Sequence, residues 1–346
     1  MTDYTTISKA EWINLARRFY LHLVTELKKF DESEWKSRTR YLGWDCKDLV
    51  NHMTSAITIN FNLLIQMSLE GIPVPEPGFN LFLRNANEVA RRRIKTTKET
   101  IDEFNSEITK LLNRLEGLSE EQWRMPAFFF IGDVDVRTLF IVQFADNLVH
   151  ERDLMIANNK WDSFLPEYVS PLMDWFMREF RPASFRPEKT NGESALIQYN
   201  IHGTGGGNWF LSIKNNSCSA YCGIAVNPEV IITTTVENLI SAALARSSPL
   251  IGRIARSFEW LVKEEKREDF TAKLTGIASG VSSIIKGKIS VQGDKRKAEL
   301  AARKWFWHFW ERTEQTQVNI MKSKYRGSTS DNMQLSENFK KGGLGG

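Results

Sequence analysis

Residues 144–154 read FADNLVHERDL, and within them Asp146 and His150 stand four apart. On a helix that spacing puts both side chains on one face, one turn apart. A carboxylate and an imidazole so placed can close on one divalent metal ion if a third ligand arrives from elsewhere in the chain. His52, on another predicted helix, is the candidate for that third ligand. The same residues also admit a plainer reading, as polar groups buried in an apolar helix and satisfied by hydrogen bonds or ion pairs. Arg137, Arg152 or Arg178 would serve as partners of that kind for Asp146 and Asp153.

The elements that must position these residues are helical. Residues 8–30 open with a Ser8/Glu11 capping box and carry Trp12, Leu15, Phe19, Leu23 and Leu27 at one-turn spacing. His22 lies on this helix and reads as a structural or surface residue. Asp45 is the predicted N-cap of a helix over 45–71 that carries His52 near its start and stops at Gly71. The prolines of IPVPEPGF forbid helix after it. The pattern then predicts one long, charged helix over 81–115, a short turn of helix at 119–123, and an apolar run, MPAFFFIGDV. Asp135 caps the helix over 135–157 that bears Asp146 and His150, and a further helix covers 166–180.

RPASFRPEKTNGES is the best linker in the chain and sets the predicted domain boundary. The resulting division is residues 1–182, residues 183–312 and a partly disordered tail, 313–346. Beyond the linker the period turns strand-like in ALIQYNIHG, NWFLSIKNN, SCSAYCGIAV, PEVIITTT and KGKISVQGD. GTGGGN reads as a hairpin loop; no helix follows it, so it does not read as a phosphate cradle. Helices are expected at 236–246, in two stretches of 251–285, and from Lys295. The last carries WFWHFW, from Trp305 to Trp310, whose rings cannot all face one core stripe. Docking across the two domains, self-association and a membrane-surface contact are the three fates open to it.

Composition narrows the class. The 346 residues are 42% hydrophobic and 25% charged, which is ordinary for a soluble globular protein. A net charge of +4, spread along the chain, leaves no footprint for nucleic acid. No apolar stretch approaches the ~20 residues of a spanning helix, and the N-terminus lacks the apolar core of a signal peptide. Three cysteines, Cys46, Cys218 and Cys222, suit a reducing compartment, so a cytoplasmic location is expected. Cys218 and Cys222 lack a second pair and read as small residues packed in a sheet.

GWDCKDLVNHM followed by VDVRTLFIVQFADNLVHERDL resembles the N-terminal domain of the mycothiol-dependent maleylpyruvate isomerase family, within the wider DinB-like group of four-helix metal-binding bundles. The resemblance implies that His52, Asp146 and His150 hold a divalent metal, most simply zinc. Asp146 stands where the family carries glutamate, one methylene longer. NWFLSIKNN, VIITTTVENLISAAL and GKISVQGDKRKA, in that order, resemble the sterol-carrier-protein type 2 fold, a five-stranded sheet covered by helices around an apolar tunnel. The expected architecture is therefore α+β in two domains.

These resemblances imply a metal-dependent isomerase or S-transferase that uses a low-molecular-weight thiol on a small organic substrate. The thiol adds to an unsaturated acid and leaves after bond rotation. Arg137 or Arg152 would hold a substrate carboxylate. Two other readings differ in class: a non-catalytic carrier of a lipid or hydrophobic small molecule in the C-terminal domain, and a scaffold that self-associates through residues 305–310.

Overall fold

A computed structural model describes residues 7–41, 43–71, 81–129, 132–243 and 289–306. The expectations for 251–285, for 307–310 and for the tail 313–346 lie outside the described residues. What is described is a helical N-terminal region followed by a sheet with flanking helices, so the α+β expectation holds.

Helix α1 (Lys9–Leu27) starts at the expected capping box, with the Ser8 amide donating to Glu11 Oε2 at 2.8 Å. Its buried face is the predicted stripe, and Phe19 meets Phe144 with ring centroids 5.2 Å apart. After α2 (Glu32–Trp35), Asp45 caps α3 (Cys46–Ser55) through the Asp48 amide at 2.8 Å. The helix expected over 45–71 is not uniform. A π-helical segment, Ala56–Leu63, separates α3 from α4 (Leu64–Leu69). The Thr54 and Thr58 hydroxyls donate to carbonyls four residues back, Val50 O and Thr54 O, both at 2.9 Å. Such side-chain bonds compete with the main-chain ladder and loosen it where the wide turn begins.

The single helix expected over 81–115 is two, α5 (Leu81–Arg92) and α6 (Thr97–Glu116). Thr96 and Glu99 form a capping box that starts α6 afresh, and Lys47 Nζ holds the turn's carbonyls of Arg93 (3.0 Å) and Lys95 (2.8 Å). After α7 (Glu120–Trp123), the apolar run MPAFFFIGDV forms an antiparallel hairpin, β1 (Pro126–Phe129) with β2 (Gly132–Asp135). The hairpin ends on Asp135, the N-cap of α8 (Val136–Ala157). Helices α1 and α3 each pack on both α6 and α8, which brings α3 and α8 face to face. Helix α9 (Pro166–Trp175) continues through a π-helical turn, Phe176–Phe180, into α10 (Arg181–Ala183).

The strands are β3 (Ala195–His202), β4 (Gly207–Lys214), β5 (Ser217–Cys222), β6 (Val230–Thr235) and β7 (Ser290–Gly293), in sheet order β5-β4-β3-β6-β7. All neighbours are antiparallel except β3 and β6. Helix α11 (Val236–Ala243) leaves β6 directly, and α12 (Lys295–Arg303) follows β7. The three cysteines are free. Among the described residues no helix is long and apolar enough to cross a membrane.

Sheet and helices share one contiguous buried cluster. Trp209 Nε1 donates to Asp174 Oδ1 at 2.9 Å, and Arg178 neutralises that buried acid at 2.6 Å. Arg178, offered by the sequence as a partner for Asp146 or Asp153, pairs with Asp174. Trp305 and Phe306 are wholly buried, with the Arg186 amide donating to Trp305 O at 2.8 Å and Phe306 against Phe185. The β3–β4 loop lies on α9: at Gly205, φ is +78° and an added Cβ would run into the Val169 side chain, 3.3 Å from the Ser170 amide. Left-handed strain and the collision together predict that Gly205→Ala costs about 1–3 kcal/mol in a urea-denaturation midpoint analysis. Gly117→Ala is the control, because its Cβ would meet nothing nearer than 3.6 Å. Equal effects at the two positions would contradict the docking of this loop.

Candidate metal centre

Helices α3 and α8 deliver the three candidate ligands to one place. One donor atom each from His52, Asp146 and His150 lies within 4.8 Å of the other two. His150 Nε2 is 3.3 Å from Asp146 Oδ2, a contact that the one-turn spacing on α8 permits. The two imidazoles meet edge to face, 5.2 Å between centroids and 89° between planes. His150 is buried, whereas the Asp146 side chain is 34% exposed, so the cluster opens to solvent on the carboxylate side. Donors about 2.0–2.1 Å from a tetrahedral zinc ion sit about 3.3 Å from one another, so the His150–Asp146 edge already has the right length.

The two nitrogens of His150 have different partners. Tyr41 donates its hydroxyl proton to Asp153 Oδ2 at 2.9 Å. The Tyr41 oxygen therefore faces His150 Nδ1, 3.3 Å away, as an acceptor, and Asp153 Oδ2 lies 4.0 Å from the same nitrogen. That arrangement places the imidazole proton on Nδ1 and turns the Nε2 lone pair toward Asp146. Two acceptors facing each other at 3.3 Å call for a positive charge beside them, and the third donor atom from His52 is what suits that charge to a metal ion rather than a lone proton. The donor set thus fits a divalent ion.

Three residues beside the centre come from the loop between α2 and α3, of which the sequence patterns include only Trp44, as part of GWDCKDLVNHM. Trp44 packs on His52 (5.1 Å, 41°), Tyr41 on His150 (5.7 Å, 63°), and Arg40 Nη1 reaches to 3.7 Å from Asp153 Oδ1. The loop is tied down by Thr39 N to Trp44 O and Cys46 N to Ser37 O, both 3.1 Å, with Gly43 at φ +74° making the turn. The signal available in the sequence is the Gly43–Trp44 pair immediately before the Asp45 cap.

The remaining candidates separate. Arg152 lies beside the centre, its Nη1 3.4 Å from Asp153 Oδ1 and its Nε donating to Glu237 Oε2 at 2.7 Å. Arg137 is not brought there. It sits in the first turn of α8, thirteen residues or about 20 Å of helix from His150, buried in a bidentate pair with Glu179. His22 is held by Glu151, Nε2 to Oε1 at 3.2 Å.

That last pair gives a pH dependence. The hydrogen bond to Glu151 raises His22 above its ordinary 6.5, against an opposing effect of burial. A raised histidine contributes stability that is complete below its unfolded value and lost as pH climbs through its folded value. The melting temperature of His22→Gln should therefore fall furthest below wild type near pH ~6 and converge with it by pH ~9. A gap that widens over that interval would contradict the pairing.

Residues 18–155 match the family model described as the mycothiol maleylpyruvate isomerase N-terminal domain. No curated protein matches the chain. Among solved structures it is similar to the mycothiol-dependent maleylpyruvate isomerase at 15% identity and a TM-score of 0.47, over 72% of this chain and 93% of that one. A mutant of that isomerase aligns over the same shares with 15% identity and a TM-score of 0.46. A stereoselective inverting sec-alkylsulfatase from Pseudomonas sp. aligns at 10% identity and a TM-score of 0.24, over 75% of this chain and 44% of that one. His52, Asp146 and His150 all fall inside the stretch that matches the isomerase's N-terminal domain.

Proposed function

We propose that His52, Asp146 and His150 hold a divalent metal ion, zinc by the chemistry of two imidazoles and a carboxylate, and that the chain is a thiol-using isomerase or S-transferase acting on a small organic substrate. The observation that carries this reading is the convergence of three ligand atoms within 4.8 Å, open on the Asp146 side, in a segment that matches the N-terminal domain of a mycothiol maleylpyruvate isomerase. In this reading residues 1–182 form the metal-binding unit and the sheet after residue 183 closes over one side of it. When bound, the dication supplies the charge that lowers the pKa of a coordinated thiol, so that a thiolate is available at neutral pH.

The chain's own residues have distinct tasks. Tyr41 and Asp153 hold the His150 ring with Nε2 presented, and Trp44 packs on the His52 ring. Preorganised ligands of this kind do not have to be ordered when metal or thiol arrives. Arg152 and Arg40 place two guanidiniums at the buried Asp153 oxygen, and with a dication in place the neighbourhood carries net positive charge. An anionic thiol or a substrate carboxylate is the complement to that field. Two of the five N–H donors of Arg152 are taken by Glu237 and Asp153 among the described residues, which leaves its planar fork suited to a carboxylate. No geometry of this kind supports Arg137 in the same role.

Full-length protein supplied with zinc and then desalted should retain about one ion per chain by elemental analysis, and His52→Ala and His150→Ala should each lose it with their helical circular dichroism intact. A wild-type chain that stays metal-free under those conditions would overturn the proposal.

A further inference from the structure

Helix α11, nearly ninety residues after the last candidate ligand, meets Arg152 beside the metal centre through Glu237. Glu237 accepts from Arg152 Nε at 2.7 Å through Oε2 and from Trp161 Nε1 at 3.0 Å through Oε1, so both carboxylate oxygens are fixed. The Arg152 guanidinium also lies over the Trp161 ring, 5.9 Å from its centroid. From Arg152 the contacts continue to Asp153 Oδ1 at 3.4 Å, from Asp153 Oδ2 to the Tyr41 hydroxyl at 2.9 Å, and from that hydroxyl to His150 Nδ1 at 3.3 Å. We infer that Glu237 is a positioning residue for the metal centre, coupling the docking of α11 to metal affinity through Arg152, Asp153 and Tyr41. The inference rests on the metal-binding reading above.

Two physical effects give the coupling its sign. Glu237 holds Arg152 by its Nε edge, and Nη1 lies 3.4 Å from Asp153 Oδ1. Released from Glu237, the guanidinium can turn its fork onto Asp153 and draw that carboxylate away from Tyr41 and His150. Removing Glu237 also adds one unit of positive charge to a neighbourhood that already holds Arg152 and Arg40, which opposes a dication. Both effects weaken metal binding. By linkage, the metal must then strengthen the docking of α11 by the same factor.

The test uses full-length protein and zinc, with affinity measured by competition against a chromophoric chelator and backbone amide exchange measured with and without zinc. Glu237→Gln should raise the zinc dissociation constant about tenfold, the lower end of what outer partners of a metal ligand are worth. Trp161→Phe, which loses one bond to Glu237 but keeps the charge, should raise it about threefold and serves if Glu237→Gln does not fold. Zinc should slow exchange in Val236–Ala243 of the wild type and have no such effect in Glu237→Gln. Unchanged zinc affinity in both variants, or exchange in α11 indifferent to zinc, would overturn the coupling while leaving the metal reading intact. A wild type that binds no zinc would overturn both.

Discussion

The Asp153 carboxylate is almost wholly buried, with 1% of its side chain exposed, and the organisation of the centre follows from the need to neutralise it there. An isolated buried carboxylate costs on the order of several kcal/mol in lost solvation, so it must be paired and hydrogen-bonded. One oxygen faces Arg152 and Arg40; the other accepts from Tyr41. Because Tyr41 gives its proton to Asp153, its oxygen is left as the acceptor for His150 Nδ1, and the ring's other nitrogen is turned outward. The charge that is expensive to bury is therefore also what sets the tautomer of the candidate ligand.

The partners of Asp153 tie other pieces of chain to the site. Arg40 and Tyr41 come from the loop ahead of α3, and Arg152 from α8 itself. Glu237, which steadies Arg152, comes from the helix that leaves strand β6. Beneath them the aromatic packing of Trp12, Phe19 and Phe144 fixes α1 on α8, and a π-helical segment begins at Ala56, one turn beyond His52. Wide turns of that kind tend to accompany functional residues in helices.

Much of this is legible in the order of the amino acids alone. Asp146 and His150 are one helical turn apart, and a helix converts that spacing into proximity without outside help. His52 can be placed because Asp45 is a good N-cap and fixes where its helix begins. Tyr41 and Arg40 are not legible, because an irregular loop carries no period and both find their partners more than a hundred residues away; Trp44 is visible only as part of GWDCKDLVNHM, without its place against His52. The Arg152–Glu237 pair spans 85 positions and has no local signature either. The break at Thr96 hides inside a charged surface pattern in which a capping box looks like two more polar residues. The hairpin at 126–135 hides in an apolar run too short to distinguish strand from helix.

The proposed centre is two imidazoles and one carboxylate sharing a cation, and metal-edge X-ray absorption on the zinc-loaded full chain addresses that directly. The predicted spectrum has a first shell of nitrogen and oxygen at about 2.0–2.2 Å with the outer scattering of two histidine rings, and no sulfur near ~2.3 Å until a small thiol is added. Sulfur ligation in thiol-free protein, or a first shell without histidine scattering, would contradict it.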